Sequence, residues 1–482
     1  MAMPNEGVEQ AVSRQSQDDE REGGRRSVDL NMDVLIYIMT LLPRPQLVQM
    51  ILTCRAIYTE GVKILLRSHI SVEERNIKSF LDFIHAGLPS RPRLLRELTI
   101  RIRDYQILNR PLVELLAHVL ANAQNLQKLT LNYAELLLFV SPDMRQALTS
   151  LRSLNTLCLL NAFETVVKTM DGLHYALHDL YLDLTHTLLT VWPNMHLPVI
   201  RVRNLRLKLP SALPHMSPQH HSVRSLTILQ TGRDILERIR DLSPLIKSFP
   251  DLRFLSYTIS NRFPGYIDAE SSRSACQRVY ASNTWSSMER ISANVHIVHA
   301  LALQHPARRL DVGVLDLVDL TRFQSVMSEA RPTHLSITIQ ARNWSNLAVT
   351  TILRTASRLT HLVLTVDISD DVISSDSLDS PRPILTMLSS VALTFLDIRF
   401  KWLGPESVAK HPRIQSIVDM IDMKMHVERC AQLVPTIRFV AEEFLRRREY
   451  FAIAEPVGLD LPVVTRLNHS AAGHIIREEW KR

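Results

Sequence analysis

The stretch Ser27–Arg67 reads SVDLNMDVLIYIMTLLPRPQLVQMILTCRAIYTEGVKILLR and predicts three short helices. Asn31 stands before the first apolar series, where its side chain can accept a first-turn backbone N–H. Pro43 and Pro45 end that helix and begin the next, and Thr53 is predicted to cap the third. The apolar positions of the three helices are Leu35, Ile38, Met39 and Leu42, then Leu47, Met50 and Ile51, and then Ile57, Tyr58, Val62, Leu65 and Leu66.

This segment is apolar on more than one side. Val34, Ile36, Leu41 and Val48 lie off the main apolar stripes. A unit of about forty residues is below the size that usually folds without a disulfide, a metal or a partner. The additional apolar positions therefore indicate either a surface that docks another protein or packing against the rest of the same chain.

The segment also resembles an F-box. The residues that match the family pattern are Leu30, Asp33, Leu35, Ile38, Leu42, Leu47, Thr53, Cys54, Arg55 and Tyr58. Asn31 stands where the family normally has proline, so the first helix here depends on a side-chain cap for its start. The match covers less than about a tenth of the chain.

This resemblance implies docking on a Skp-type adaptor and, through the adaptor, on a cullin scaffold. The adaptor-binding residues that it implies are Leu30, Asp33, Val34, Leu35, Ile38, Met39, Leu42, Leu47, Leu52, Cys54, Arg55 and Tyr58.

From Leu94 onward, the pattern apolar-x-x-apolar-x-apolar returns about twelve times, at an average spacing of about 27 residues. Examples are Leu95–Ile100, Leu126–Leu131 and Leu393–Ile398. Each copy predicts a short strand, and segments with helical spacing lie between the copies. This organisation resembles divergent leucine-rich repeats, which stack into a solenoid with parallel strands on the concave side and helices on the convex side. The alternative is an ordinary α/β domain.

The predicted fold class is therefore α/β, with an N-terminal three-helix F-box followed by a leucine-rich-repeat-like solenoid. The predicted division is a disordered tail over 1–26, the F-box over 27–68, a helical connector over 69–93, the solenoid over 94–440 and a C-terminal cap or tail over 441–482. Thr436–Tyr450 has helical patterning and is predicted to help cap the last repeat.

Composition excludes several classes of protein. Among the 482 residues, 46% are hydrophobic and 22% are charged, which are ordinary globular values. The N-terminal stretch has no apolar signal core, and no apolar run reaches the length of about 18 residues that a membrane span needs. We therefore expect a cytoplasmic or nuclear protein without a membrane partner. The net charge of +7 is spread along the chain without a nucleic-acid-binding motif, so no nucleic-acid partner is expected.

Motifs that carry chemistry are missing. The sequence has neither a phosphate-binding glycine loop nor a nucleophile elbow, and its four cysteines fit neither a disulfide framework nor a zinc site. The prediction is a non-catalytic protein with no cofactor and no metal.

The concave side of a repeat sheet would instead supply a wide surface for an unknown protein substrate. Its candidate contacts, which alternate with the buried strand positions, are Arg101, Asn132, Tyr181, Asp183, Arg206, Lys208, Asp397 and Arg399. With the F-box resemblance, these features favour a substrate-recruiting subunit of a Skp–cullin–F-box ubiquitin ligase. The alternative is a repeat scaffold that binds a protein partner without joining a ligase.

Overall fold

A computed structural model provides the structure of the protein. It describes residues 31–102, 109–173, 177–185, 201–209, 219–231, 241–259, 269–280, 285, 288–340, 353, 356–368, 388–389, 391–402, 422–444, 447–454 and 462–481. The chain divides into two compact units, Met1–Leu65 and Leu66–Arg482. The predicted tail over 1–26 lies outside the described residues.

The first unit contains the three predicted helices, α1 (Met32–Leu41), α2 (Arg44–Ile51) and α3 (Arg55–Arg67), the last of which continues past the boundary of the unit. Thr53 does not cap α3 as predicted. Its hydroxyl donates instead to the Met50 carbonyl oxygen, at 2.7 Å, and so belongs to the end of α2.

In the described part of the second unit, sixteen strands form one open sheet, and they follow one another across it in chain order. The strands are β1 (His69–Glu73), β2 (Glu97–Arg101), β3 (Lys128–Leu131), β4 (Thr156–Leu159), β5 (Leu177–Asp183), β6 (Val202–Leu209), β7 (Ser225–Gln230), β8 (Phe254–Ile259), β9 (Met288–Ala293), β10 (Ala307–Leu315), β11 (His334–Gln340), β12 (His361–Ile368), β13 (Phe395–Trp402), β14 (Phe439–Phe444), β15 (Arg447–Ala454) and β16 (Val463–Leu467). All neighbouring pairs from β1 to β14 are parallel, whereas β15 and β16 are antiparallel additions.

Helices connect many of the parallel strands. Those described in the second unit are α4 (Glu74–His85), α5 (Arg110–Asn122), α6 (Ala134–Val140), α7 (Pro142–Ser150), α8 (Glu164–Met170), α9 (Ser243–Ser248), α10 (Ala269–Tyr280), α11 (Val295–Leu301), α12 (Leu320–Ala330), α13 (Met423–Leu433) and α14 (His469–Lys481). The described residues also include 3-10 turns at Pro92–Leu94 and Leu317–Asp319.

Side-chain caps determine where several of these helices begin. Asn109 accepts the Leu112 N–H at the start of α5, and Asn294 accepts the Ile297 N–H at the start of α11, at 3.0 and 2.9 Å. Each bond satisfies a first-turn donor that the helix itself leaves unpaired.

Each of the twelve copies of the repeated pattern overlaps one strand, from β2 to β13, and the mixed α/β class is confirmed. Two boundaries differ from the prediction. The predicted helical connector over 69–93 begins with β1, which pairs with β2. The predicted helix over Thr436–Tyr450 is wrong, because this segment contains β14 and the first half of β15. Its phenylalanine and valine residues find their partners in the sheet, and this tertiary pairing overrides the local helical pattern.

Alternation along the strands separates two faces of the sheet. Leu98 and Ile100 are fully buried, and so are the equivalent apolar residues of the following strands. Each such side chain stabilises the fold by about 1.5–3 kcal/mol relative to exposure. The residues between them point to the other side, which we call the open face. The register aligns one open-face position of every strand in a row, from Ser71 on β1 through Arg206 on β6 to Ala441 on β14.

Candidate functional site

Helix α1 has two apolar faces. The helix starts at Asn31, whose Oδ1 accepts the Asp33 N–H at 2.9 Å, so the predicted cap is present. Its inner face carries Met39, which is buried with Leu47 and Ile51 in a small core. Gly61 lets α3 approach this core, because a Cβ built there would lie 2.2 Å from Cγ1 of Ile51.

The outer face of α1 carries Val34, Tyr37, Ile38 and Leu41, at positions i, i+3, i+4 and i+7. These side chains are 46, 65, 37 and 66% exposed. The same unit exposes four further large apolar or aromatic side chains. We call the whole set the outer apolar patch, and it consists of Met32, Val34, Tyr37, Ile38, Leu41, Val48, Leu52 and Tyr58. An apolar surface of this density in one small unit is typical of a protein-docking site.

The predicted adaptor-binding residues fall into four groups. Those that are exposed are Asp33, Val34, Ile38, Leu52, Cys54, Arg55 and Tyr58. Leu35 and Leu42 are half-buried, and Leu30 lies outside the described residues. Met39 and Leu47 are buried in the core of the unit, so they support the surface rather than belong to it.

Four members of the outer apolar patch were not predicted as adaptor-binding residues: Met32, Tyr37, Leu41 and Val48. The sequence did indicate two of them, because Leu41 and Val48 are apolar positions that lie outside the main apolar stripes of their helices. The outer stripe of α1 begins at Val34, about one residue before the stripe that begins at Leu35. A prediction based on the Leu35 stripe alone therefore omits Tyr37.

Replacement of Asn31 by alanine is expected to destabilise this unit by about 1 kcal/mol, because the Asp33 N–H loses its cap. Hydrogen exchange of the α1 amides measures the effect directly. Thr40→Ala is the control, since the Thr40 hydroxyl donates to the Tyr37 carbonyl near the other end of the same helix. Equal exchange rates in Asn31→Ala and the parent would show that the cap contributes nothing.

On the sheet, four of the predicted substrate-binding residues come together. Tyr181 pairs in register with Arg206, and Asp183 pairs with Lys208. Arg206 is exposed, whereas Asp183 is buried, contrary to the prediction. Asp183 accepts hydrogen bonds from Thr185 and from the Lys208 ammonium, at 2.9 Å for the latter. Burial opposes ionisation, but these bonds outweigh it and lower the pKa of the carboxyl group.

Arg101 and Asn132 lie toward the β1 end of the sheet, and only Arg101 is exposed. The Asn132 amide is used within the fold. It donates to the Ile102 carbonyl, and its oxygen accepts the Tyr133 N–H and a bond from the Asn161 side chain. Asn132 therefore holds the turn after β3, where Tyr133 has a positive φ of 52°.

Asp397 and Arg399 lie on β13, seven strands from Arg206, or about 34 Å along the sheet at 4.8 Å per strand. Asp397 is 1% exposed, so its predicted place on the surface is wrong. Its Oδ2 accepts bonds from Arg399 at 2.6 Å and from Arg448 at 3.0 Å. This carboxylate joins β13 to the antiparallel strand β15.

The C-terminal helix α14 covers the open face near β12 to β15. Its Ala472, Ile475 and Ile476 pack with Val363, Phe395, Phe439 and Ala441 of the sheet. A row of stacked rings crosses β11 to β14, with centroid distances of 4.0 Å for His334–His361, 5.5 Å for His361–Phe395 and 5.0 Å for Phe395–Phe439. This end of the open face is therefore occupied by the protein's own chain.

Two histidines fasten α14 to the sheet. Nε2 of His361 lies 3.2 Å from Oε2 of Glu479, and Nε2 of His334 lies 3.3 Å from the Glu479 carbonyl oxygen. Burial, with a smaller contribution from His361, lowers the pKa of His334 to about 4, and Arg308 and Arg309 act in the same direction. Burial also lowers the pKa of His361, although Glu479 opposes the shift.

Attachment of α14 is expected to weaken as the pH falls. An unfolded histidine has a pKa of about 6.5, so the unfolded state takes up protons more readily than the folded state between pH 6.5 and 4. The stability from neutral His334 is complete above pH 6.5 and is lost through that window. After correction for intrinsic rates, the α14 amides should exchange faster at pH 5 than at pH 7.5. His334→Phe, which keeps a ring in the stack, should reduce the difference in exchange between the two pH values. An unchanged difference would show that His334 is not the source of the pH dependence.

Metal-binding clusters and membrane-spanning helices are both absent from the described ranges. No group of three or more His, Cys, Asp or Glu side chains there could hold a metal ion. No helix in the same part of the chain is both long and apolar enough to cross a membrane. Comparison of the sequence with models of known protein families gives no match, and comparison with curated proteins gives none either.

Proposed function

We propose that this chain is the substrate-recruiting subunit of a Skp–cullin–F-box ubiquitin ligase and that it works in the cytoplasm or the nucleus. In this proposal the three-helix unit is an F-box that docks on a Skp-type adaptor. The sheet and its helices form a leucine-rich-repeat-like solenoid that holds a target protein.

The observation that carries the proposal is the outer apolar patch. α1 presents four large apolar or aromatic side chains on the side opposite its own core residue Met39. Complete burial of one such side chain is worth about 1.5–3 kcal/mol, so a partner that covers several gains substantial binding energy. The matches to the F-box pattern, from Asp33 to Tyr58, lie in the same segment.

The open face of the sheet supports the second half of the proposal. Between β5 and β9 it carries exposed polar and charged side chains, including Arg206, on a rigid parallel frame. Stacked repeats commonly use such an extended surface to bind another protein. The chain itself would contribute proximity rather than bond chemistry, because tethering raises the effective concentration of the target near the ubiquitin-charged enzyme.

Co-expression of the full chain with a Skp-type adaptor tests the proposal. The expected result is a stable one-to-one complex in size-exclusion chromatography. A well-folded chain that does not bind the adaptor would overturn the ligase proposal. A repeat scaffold outside any ligase would then be the better description.

A further inference from the structure

A cleft of about 1090 Å³ opens at the amino-terminal ends of strands β5 to β9. Arginine is the commonest residue in its lining, which includes Arg201, Arg203, Arg224 and Arg253, with Glu289 at the β9 side. The cleft lies wholly within the second unit and well away from β12–β15, where α14 covers the sheet.

Sheet register places three of these arginines side by side. The backbone N–H of Arg224 donates to the backbone carbonyl oxygen of Arg203, and the backbone N–H of Arg253 donates to that of Arg224, both at 2.9 Å. Adjacent strands lie about 4.8 Å apart, so the three side chains leave the sheet as a closely spaced row of positive charges.

The carboxylates near this row neutralise only part of its charge. Arg224 pairs with Asp251 at 3.4 Å, and Arg253 pairs with Glu289 at 3.2 Å. Arg201 and Arg203 are exposed and have no carboxylate partner among the residues that the structure describes. The β6 side of the cleft therefore presents two guanidinium groups that no described carboxylate neutralises, each able to form a bidentate pair with a carboxylate.

Other lining groups favour a peptide over a nucleic acid. Leu177, Val202 and Phe254 supply apolar contacts, and Asn204 and Gln219 supply amides suited to a peptide backbone. Single-stranded nucleic acids are usually held by several aromatic rings, whereas Phe254 is the one aromatic residue besides histidine among the described lining residues. From β5 to β9 the cleft spans four strand spacings, or about 19 Å, the length of five or six extended residues.

We propose that this cleft binds an acidic segment of a protein partner, with its carboxylates on Arg201 and Arg203 and its less acidic end toward Glu289. The inference rests on the proposed function in one respect only, namely that the partner is the target protein that the ligase recruits. Peptide binding itself does not require the adaptor.

Fluorescence anisotropy with the full chain tests this proposal. The probe is a fluorescein-labelled twelve-residue peptide of alternating Glu and Ser, and the comparison peptide has Lys in place of Glu. The parent is expected to bind only the acidic peptide, with an affinity that falls as NaCl rises from 50 to 500 mM. Arg201→Glu with Arg203→Glu should lower the affinity at least tenfold.

The matched control is Arg145→Glu with Arg152→Glu. Both arginines are exposed, and the double variant changes the net charge by the same amount. It should bind like the parent. Equal loss in both double variants would attribute binding to net charge and overturn the proposal, as would failure of the parent to bind. Tighter binding of a twelve-nucleotide oligothymidine than of the acidic peptide would also overturn it, in favour of a nucleic-acid site. Adaptor co-purification is measured separately, so failure of this proposal leaves the ligase proposal standing.

Discussion

The Ile38→Asp, Leu41→Asp double variant is expected to lose co-purification with a Skp-type adaptor. Both side chains lie on the outer face of α1, where they are exposed in the free chain. Docking would bury two new carboxylates in an apolar contact, at a cost of several kcal/mol. Since each 1.4 kcal/mol is a factor of ten, the affinity should fall at least a hundredfold.

A second double variant, Phe139→Asp with Val318→Asp, is the control for general surface effects. These residues belong to the second unit and are 71 and 82% exposed. The control therefore also replaces two exposed apolar side chains with aspartate, but outside the three-helix unit. The control should still bind the adaptor. Both double variants should keep the parent's far-UV circular dichroism, because none of the four side chains is buried. If a folded Ile38→Asp, Leu41→Asp variant still bound the adaptor, the outer apolar patch would not be part of the interface.

Asp397→Ala is expected to have the largest effect on stability among changes at the predicted substrate-binding positions. The carboxylate is buried, and its loss leaves Arg399 and Arg448 without their shared partner. Breaking a fully buried pair costs about 3–5 kcal/mol. The two arginine side chains keep 30 and 27% exposure and can turn toward water, so we expect about 2–3 kcal/mol here.

Asp251→Ala provides the comparison for Asp397→Ala. Asp251 also faces two basic side chains, Arg224 and His221, but it is 43% exposed. Its loss should cost less than about 1 kcal/mol. Hydrogen exchange in β13 and β15 during chemical denaturation measures the local effect. A single global unfolding transition of so large a sheet would obscure it. Equal destabilisation by both variants would show that burial of Asp397 is not what makes the pair important.

Local pattern was sufficient to predict the three N-terminal helices and the strands β2 to β13, but not β1 or the elements at the C-terminus. Repeated leucines predict β2 to β13 because each strand shows its own alternation. The segment after Ile437 has a helical pattern and is nevertheless two strands. β14 finds a parallel edge in β13, and β15 then pairs with β14. The exposed edge offered by a sheet can outweigh a weak local preference.

In the candidate surfaces, too, local pattern predicts some features, and others depend on residues far away in the chain. Alternation predicts that position 397 faces away from the repeat core, but its burial comes from Arg448, 51 residues later in the chain. Likewise the contact between His334 and Glu479 joins residues 145 apart. No periodicity within one strand contains information about such partners.

The sequence by itself determined the three N-terminal helices, the asparagine that caps the first and the parallel series of strands. These features depend on the spacing of apolar residues and on the chemistry of a few side chains near each terminus. Only the tertiary structure decided which side of α1 is turned outward, because a helix with two apolar stripes allows either. It also decided that α14 covers one end of the open face and that four arginines line a cleft at the amino-terminal ends of β5 to β9. Those arrangements arise from contacts between distant segments, whose free energy no local pattern encodes.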